Sequence, residues 1–160
     1  MTLYHHAPDS RILHILDSGV LAARSYGDFH QDETYYLRVF HQQVWPPPRY
    51  RWTPSVLFLT SAEQEKDMVA WQERERSVDI RSKLRRTWRF TVRVPSPTVA
   101  PWNEFARQLG AAPEWLEYQS PLRKDEYLTT NDVPCSQWLE VRHQPTNRTL
   151  RRVGEGWAVE

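Results

Sequence analysis

Leu3-Tyr4-His5-His6-Ala7, followed by Pro8-Asp9-Ser10-Arg11-Ile12-Leu13-His14-Ile15-Leu16-Asp17-Ser18-Gly19-Val20-Leu21, is the stretch from which the fold is best read outward. Its first part is a short run bounded by Ala7-Pro8, which predicts an opening strand over residues 3–6. Asp9 or Ser10 can cap a helix by accepting from its free N–H groups. Ile12, Leu13, Ile15 and Leu16 then recur at helical spacing, and Gly19 stands where a helix closes on a left-handed residue. Residues 20–24 return as a short strand.

The next clear signals lie further along. Residues 87–94 alternate, with Trp88, Phe90, Val92 and Val94 on one side and Arg89, Thr91 and Arg93 on the other, which predicts a strand with one apolar face. Val56-Leu57-Phe58-Leu59 within residues 55–60 is a buried strand, and Ser61-Ala62-Glu63-Gln64 resembles a capping box opening a charged helix. Tyr36, Val39, Phe40 and Val44 fit a helix over residues 35–44, ended by Pro46-Pro47-Pro48. Residues 49–53 read as an exposed loop rich in Arg and aromatics. Residues 101–109 form a helix with Trp102, Phe105, Ala106 and Leu109 inward and Gly110 as its stop, and residues 114–118 a helical turn. Residues 126–129, 138–142, 150–153 and 157–159 are strands, the last two joined by the turn Gly154-Glu155-Gly156. The expectation is one α+β domain over residues 1–160, helices mostly early and strands dominating late, with no internal repeat and no linker.

At 160 residues such a domain buries roughly 70% of its unfolded-chain surface. A hydrophobic share of 39% supports a packed core and argues against global disorder. Eight tryptophans are read first as core area, with ring stacking in a groove as the other use. The balance of 21 basic and 20 acidic residues, net +1, excludes a chain-wide nucleic-acid footprint but leaves local patches open. Cys135 is the single cysteine, so no internal disulfide forms and a reducing compartment is expected. No apolar run approaches a membrane span and the N-terminus has no basic-then-apolar signal pattern, so the expected location is cytoplasmic, with no membrane partner.

Three segments together resemble the histidine-type branch of the ADP-ribosyltransferase superfamily, which includes the diphtheria-toxin-like and poly(ADP-ribose) polymerase domains. There an opening strand reads hydrophobic-x-His-Gly-Ser and its helix ends in Ile-Leu-x-x-Gly-Leu; this chain has Leu3-Tyr4-His5-His6-Ala7 and Ile15-Leu16-Asp17-Ser18-Gly19-Val20. The family strand Gly-Ile-Tyr-Phe-Ala-Asp is similar to Ser55-Val56-Leu57-Phe58-Leu59-Thr60. The late Asn-Glu-Tyr-Ile-Val-Tyr-Asp is similar to Asp125-Glu126-Tyr127-Leu128-Thr129-Thr130-Asn131, ahead of Trp138-Leu139-Glu140-Val141. The resemblance spans residues 3–142 and implies split antiparallel sheets with flanking helices.

It also implies a function: an NAD-dependent mono-ADP-ribosyltransferase, toxin-like or effector-like, that modifies a macromolecule. By position, His5 is implied to bond a ribose hydroxyl of NAD, the backbone at His6 to hold the nicotinamide amide, and Glu126 to be catalytic. Arg11 or the free N–H groups of the helix start are implied to meet the pyrophosphate. The family commonly sandwiches nicotinamide between two tyrosines; here Leu57 or Phe58, and Met68 or Trp71, occupy the slots, so stacking falls to Phe58 and Trp71. His6 replaces the usual glycine, so its side chain must point away from the ligand.

Other chemistries find less support. His5, His6 and His14 have no Cys or carboxylate at ligand spacing, and no Gly-x-Ser-x-Gly elbow exists. Cys135, between Pro134 and Ser136, reads as a small structural residue. Residues 81–93 carry six basic side chains and no acid; Arg85, Arg86, Arg89 and Arg93 read as a solvated face or, as the rival, a phosphate-tracking stripe for nucleic acid. Arg148, Arg151 and Arg152 form a second cluster, and Glu140 is the reserve carboxylate. Three alternatives stand beside the transferase: an NAD glycohydrolase, an RNA 2′-phosphotransferase on the same fold, and an inactive binding protein gripping its partner through the loop from Trp45 to Trp52.

Overall fold

Strand β1 (Thr2–Ala7) runs directly into helix α1 (Asp9–Ser18), and Gly19 closes that helix at φ 66° while its N–H bonds Ile15 O at 2.9 Å. The computed structural model describes residues 1–23, 55–61, 87–108, 117 and 124–160. Within them follow β2 (Val20–Leu21), β3 (Leu57–Thr60), β4 (Trp88–Arg93), β5 (Ala100–Pro101), helix α2 (Trp102–Gln108), β6 (Glu126–Thr129), β7 (Val133–Pro134), β8 (Trp138–His143), β9 (Arg148–Val153) and β10 (Gly156–Val159). The chain is α+β, and the pairs β1–β3, β1–β4, β4–β8, β8–β9, β9–β10, β2–β7 and β5–β6 are all antiparallel. The expected helices at 35–44 and after Ser61, and the loop at 49–53, lie outside the described residues, as does the turn at 114–118 apart from Glu117. No helix among the described residues is long and apolar enough to cross a membrane.

The chain divides into two compact units, one of Met1–Leu21, Leu59–Pro95 and Val133–Glu160, the other of Ala22–Phe58 and Ser96–Asp132. In the first, strands pair in the order β10-β9-β8-β4-β1, and Thr60 of β3 stands opposite Tyr4 on the far side of β1. Strand alternation sorts the side chains onto two faces. Leu3, Ala7, Phe90, Val92, Val141 and Leu150 fall on one face, and all are buried. Phe90 meets Trp138 edge-on, ring centroids 5.0 Å apart, and Trp138 in turn lies 5.5 Å from Trp157. A register shift between Thr91 and Val92 pairs Thr91 with Glu140 but Val92 with Trp138, so Leu139 falls at the irregularity and is exposed. The chain start is tied in: the Met1 ammonium donates to Val94 O at 2.8 Å, and Val94 N–H returns a bond to Met1 O.

Two local expectations are corrected. The helix N-cap is Pro8, with no side-chain cap bond; the Asp9 carboxylate instead accepts from Thr87 Oγ1 at 2.6 Å and Trp88 Nε1 at 2.7 Å, linking α1 to the start of β4. The apolar stripe of α1 is narrower than its spacing suggests, because Ile12 and Ile15 are buried while Leu13 is 79% exposed. After α1, β2 pairs with β7, and Gly19 O accepts from Cys135 N–H at 2.8 Å.

The second unit pairs β5 with β6 and packs Val56, Trp102, Ala106 and Leu128 into one buried cluster, with Phe58 and Phe105 against it. Trp102 and Ala106 are four apart, so one helical face delivers both. Ala23 N–H bonds Asp132 Oδ1 at 2.8 Å, joining two distant pieces of this unit.

Candidate functional site

Strand β1 lies between β4 and β3, and its alternation sends neighbouring histidines to opposite faces. His5 stands opposite Phe90 on the apolar face, half-buried, its ring 6.3 Å from the phenyl ring. His6 stands opposite Arg89 on the other face and is buried. The side chains of His5 and His6 therefore lie on opposite faces of β1. Arg11 lies in the first turn of α1, half-buried, its N–H bonded to Pro8 O at 3.0 Å.

The polar face is more organised than its composition announces. The paired row His6, Arg89, Arg142, Thr149 runs beside the row Tyr4, Thr91, Glu140. Arg89 is only 6% exposed; its Nη2 donates to Glu140 Oε1 at 2.9 Å and its guanidinium lies 5.5 Å from the centre of the Tyr4 ring. Arg142 Nη2 donates to Glu140 Oε2 at 2.7 Å and its Nη1 to Asn147 Oδ1 at 3.0 Å. Burial pushes the Glu140 carboxyl up, but hydrogen bonds from Arg142 and Arg89 and the attraction of both charges outweigh it, so the group sits below its ordinary 4.5. Glu140 is thus an anion at neutral pH with both oxygens engaged, which suits it to holding arginines rather than to acting as a free base.

Arg89 accordingly leaves the proposed basic face: it turns inward onto Glu140, and of the four arginines assigned there only Arg93 is described as exposed. Arg85 and Arg86 lie outside the described residues, as do Trp71 and the loop from Trp45 to Trp52.

In the second unit Glu126 is the first residue of β6 and half-buried. Phe58 packs against the cluster of Val56, Trp102, Ala106 and Leu128, which gives its ring a core role in this unit. His5 belongs to the first unit and Glu126 to the second.

Two further arrangements escaped sequence reading. Arg152 Nη1 donates to Cys135 Sγ at 3.1 Å, although Arg152 is distant from the cysteine in sequence. Trp88 lies 4.7 Å from His143, whose Nδ1 is 2.7 Å from Thr146 Oγ1 and whose Nε2 is 3.9 Å from Asp9 Oδ1. Trp88 and His143 share a face because β4 and β8 pair in that register, which no local pattern reveals. Among the described residues no group of three or more His, Cys, Asp or Glu could hold a metal ion. Comparison with protein-family models, curated proteins and solved structures gave no match.

Proposed function

We propose that this chain is an NAD-dependent mono-ADP-ribosyltransferase that cleaves the nicotinamide–ribose bond and passes ADP-ribose to a macromolecular acceptor in the cytoplasm. The observation that carries the reading is the order β1, α1, left-handed Gly19, β2, with His5 on the strand. That order is what the resemblance to the histidine-type transferases, with their split sheets, requires of the first segment. Glu126 at the start of β6 supplies the second element of the motif.

On this reading His5 bonds a ribose hydroxyl of NAD, the backbone at His6 holds the nicotinamide amide, and Arg11 stands by for the pyrophosphate. His5 and Glu126 are each half-buried. Breaking the glycosidic bond builds positive charge on the ribose, and the Glu126 carboxylate stabilises that oxocarbenium-like state. The same carboxylate can accept from the 2′-hydroxyl and orient the incoming nucleophile. Nicotinamide leaves with the bonding pair and the acceptor loses its proton as it attacks.

A second reading has one observation in its favour. Phe58 packs on a core cluster, so the ring proposed to stack on nicotinamide already has apolar neighbours, as it would in a binding protein that kept the fold without the chemistry.

NAD labelled on its adenylate half, incubated in cell lysate with wild type and with Glu126→Gln, separates these outcomes. Label moving onto protein or nucleic acid with wild type alone supports the transferase. Nicotinamide release without labelled macromolecule points to the glycohydrolase. Absence of both overturns the enzymatic assignment and leaves the binding protein.

A further inference from the structure

Arg142 is fixed more firmly than an ion pair between neighbours on one strand requires. Its Nη2 bonds Glu140 Oε2 at 2.7 Å, and its Nη1 bonds Asn147 Oδ1 at 3.0 Å. Asn147 reaches it from a turn at φ 56°, a left-handed backbone that costs an L-residue free energy and that asparagine tolerates better than most. Glu140 is moreover shared, since its other oxygen takes Arg89 at 2.9 Å. Arg142 thus holds a charge that one shared carboxylate matches only in part, while 33% of its side chain stays exposed. Each terminal guanidinium nitrogen carries two N–H donors, so both still have one to give. A guanidinium already fixed in place loses little entropy on binding an oxyanion, and its planar fork matches the oxygens of a phosphate group.

We propose that Arg142 anchors a phosphate-binding site on the polar face of the β1–β4–β8 sheet, with Glu140 and Asn147 as its positioning residues. The bound group is a phosphate or pyrophosphate, of a free nucleotide or of a nucleic-acid end, and it is separate from the NAD proposed at His5, whose side chain lies on the other face of β1. Glu140 has a double part: it holds Arg142 in place, and as a neighbouring anion it limits how tightly a second anion binds. The inference does not rest on the transferase reading, because the probe is inorganic pyrophosphate and no turnover is needed.

Titration calorimetry of the full chain with pyrophosphate is the test, with folding of each variant checked by circular dichroism. Wild type is expected to bind saturably, and Arg142→Gln to weaken binding about tenfold. Arg142→Lys, which keeps the charge and loses the fork, is the second variant should the glutamine fail to fold, and it too weakens binding. Asn147→Gly, which suits the left-handed backbone, weakens binding by freeing the guanidinium. Glu140→Gln is expected to tighten binding several-fold, a sign that a purely structural ion pair does not produce. No saturable binding at millimolar pyrophosphate, equal affinity in the Arg142 variants, or weakening by Glu140→Gln in a folded protein overturns the proposal. Competition by ADP-ribose assigns the group to a free nucleotide, whereas competition by a 5′-phosphorylated single-stranded RNA assigns it to a nucleic-acid end. Nicotinamide release, measured separately, reports on the transferase reading alone.

Discussion

Glu140 is held by two arginines at once: Oε1 lies 2.9 Å from Arg89 Nη2 on β4, and Oε2 lies 2.7 Å from Arg142 Nη2 on its own strand, β8. One carboxylate therefore ties two adjacent strands together across the polar face. Burial decides what it is worth, because Arg89 is 6% exposed and removing the carboxylate deprives a desolvated cation of that partner. Glu140→Ala is expected to lower the unfolding free energy by about 2–4 kcal/mol, below the full range for a buried pair because Glu140 retains some solvent. Denaturant titration measures it; a loss under about 0.5 kcal/mol would place the pair among surface ion pairs.

The same pair gives a pH dependence of definite sign. The folded Glu140 carboxyl sits below its ordinary 4.5, so the native state favours the ionised form. Its contribution is complete above the unfolded value and is lost as pH falls through the lower folded one. The stability difference between wild type and Glu140→Gln should stay constant from neutral pH down to about 4.5 and close below it. A difference that widens toward acid would contradict the assignment.

Phe90 has no exposed surface and stands edge-on to Trp138 at 5.0 Å. Phe90→Ala removes both the buried area and the ring contact, at an expected cost of about 3–5 kcal/mol. Phe90→Leu fills most of the space and should cost clearly less. Both are read from thermal unfolding, and the near-ultraviolet circular dichroism of the tryptophans should change in step.

Gly19→Ala separates backbone strain from crowding. A Cβ there would meet Cys135 Sγ at 3.5 Å, an ordinary contact, so the cost comes from φ +66° and should be about 1 kcal/mol. A loss of several kcal/mol would show that the turn packs more tightly than this distance indicates.

The elements legible in the chain are those whose signal is local. Leu3 to Ala7 ahead of Pro8, Ile12 and Ile15 ahead of Gly19, and the alternation Trp88-Arg89-Phe90-Thr91-Val92 each define an element within a few residues, and the structure forms β1, α1 and β4 there. The two-residue strands β2, β5 and β7 are too short to carry a period, and of these only β2 was anticipated. Of the candidate site, the placement of His5 on a strand and of Glu126 at the start of one was readable. The links of Glu140 to Arg89 and of Arg152 to Cys135 were not, because their partners meet only after distant strands pair.

The sequence by itself determined where β1, α1 and β4 lie and on which side of each of those strands a residue falls, since backbone geometry imposes both within a few bonds. Tertiary structure alone decided whether a side is covered. Alternation puts Arg89 opposite the apolar face of β4, where a solvated arginine would be expected, but pairing with β1 and β8 brings Glu140 to it in a buried setting. A charge is stable there because a counter-charge is fixed within hydrogen-bond distance, and that requirement is met by strands distant in the chain.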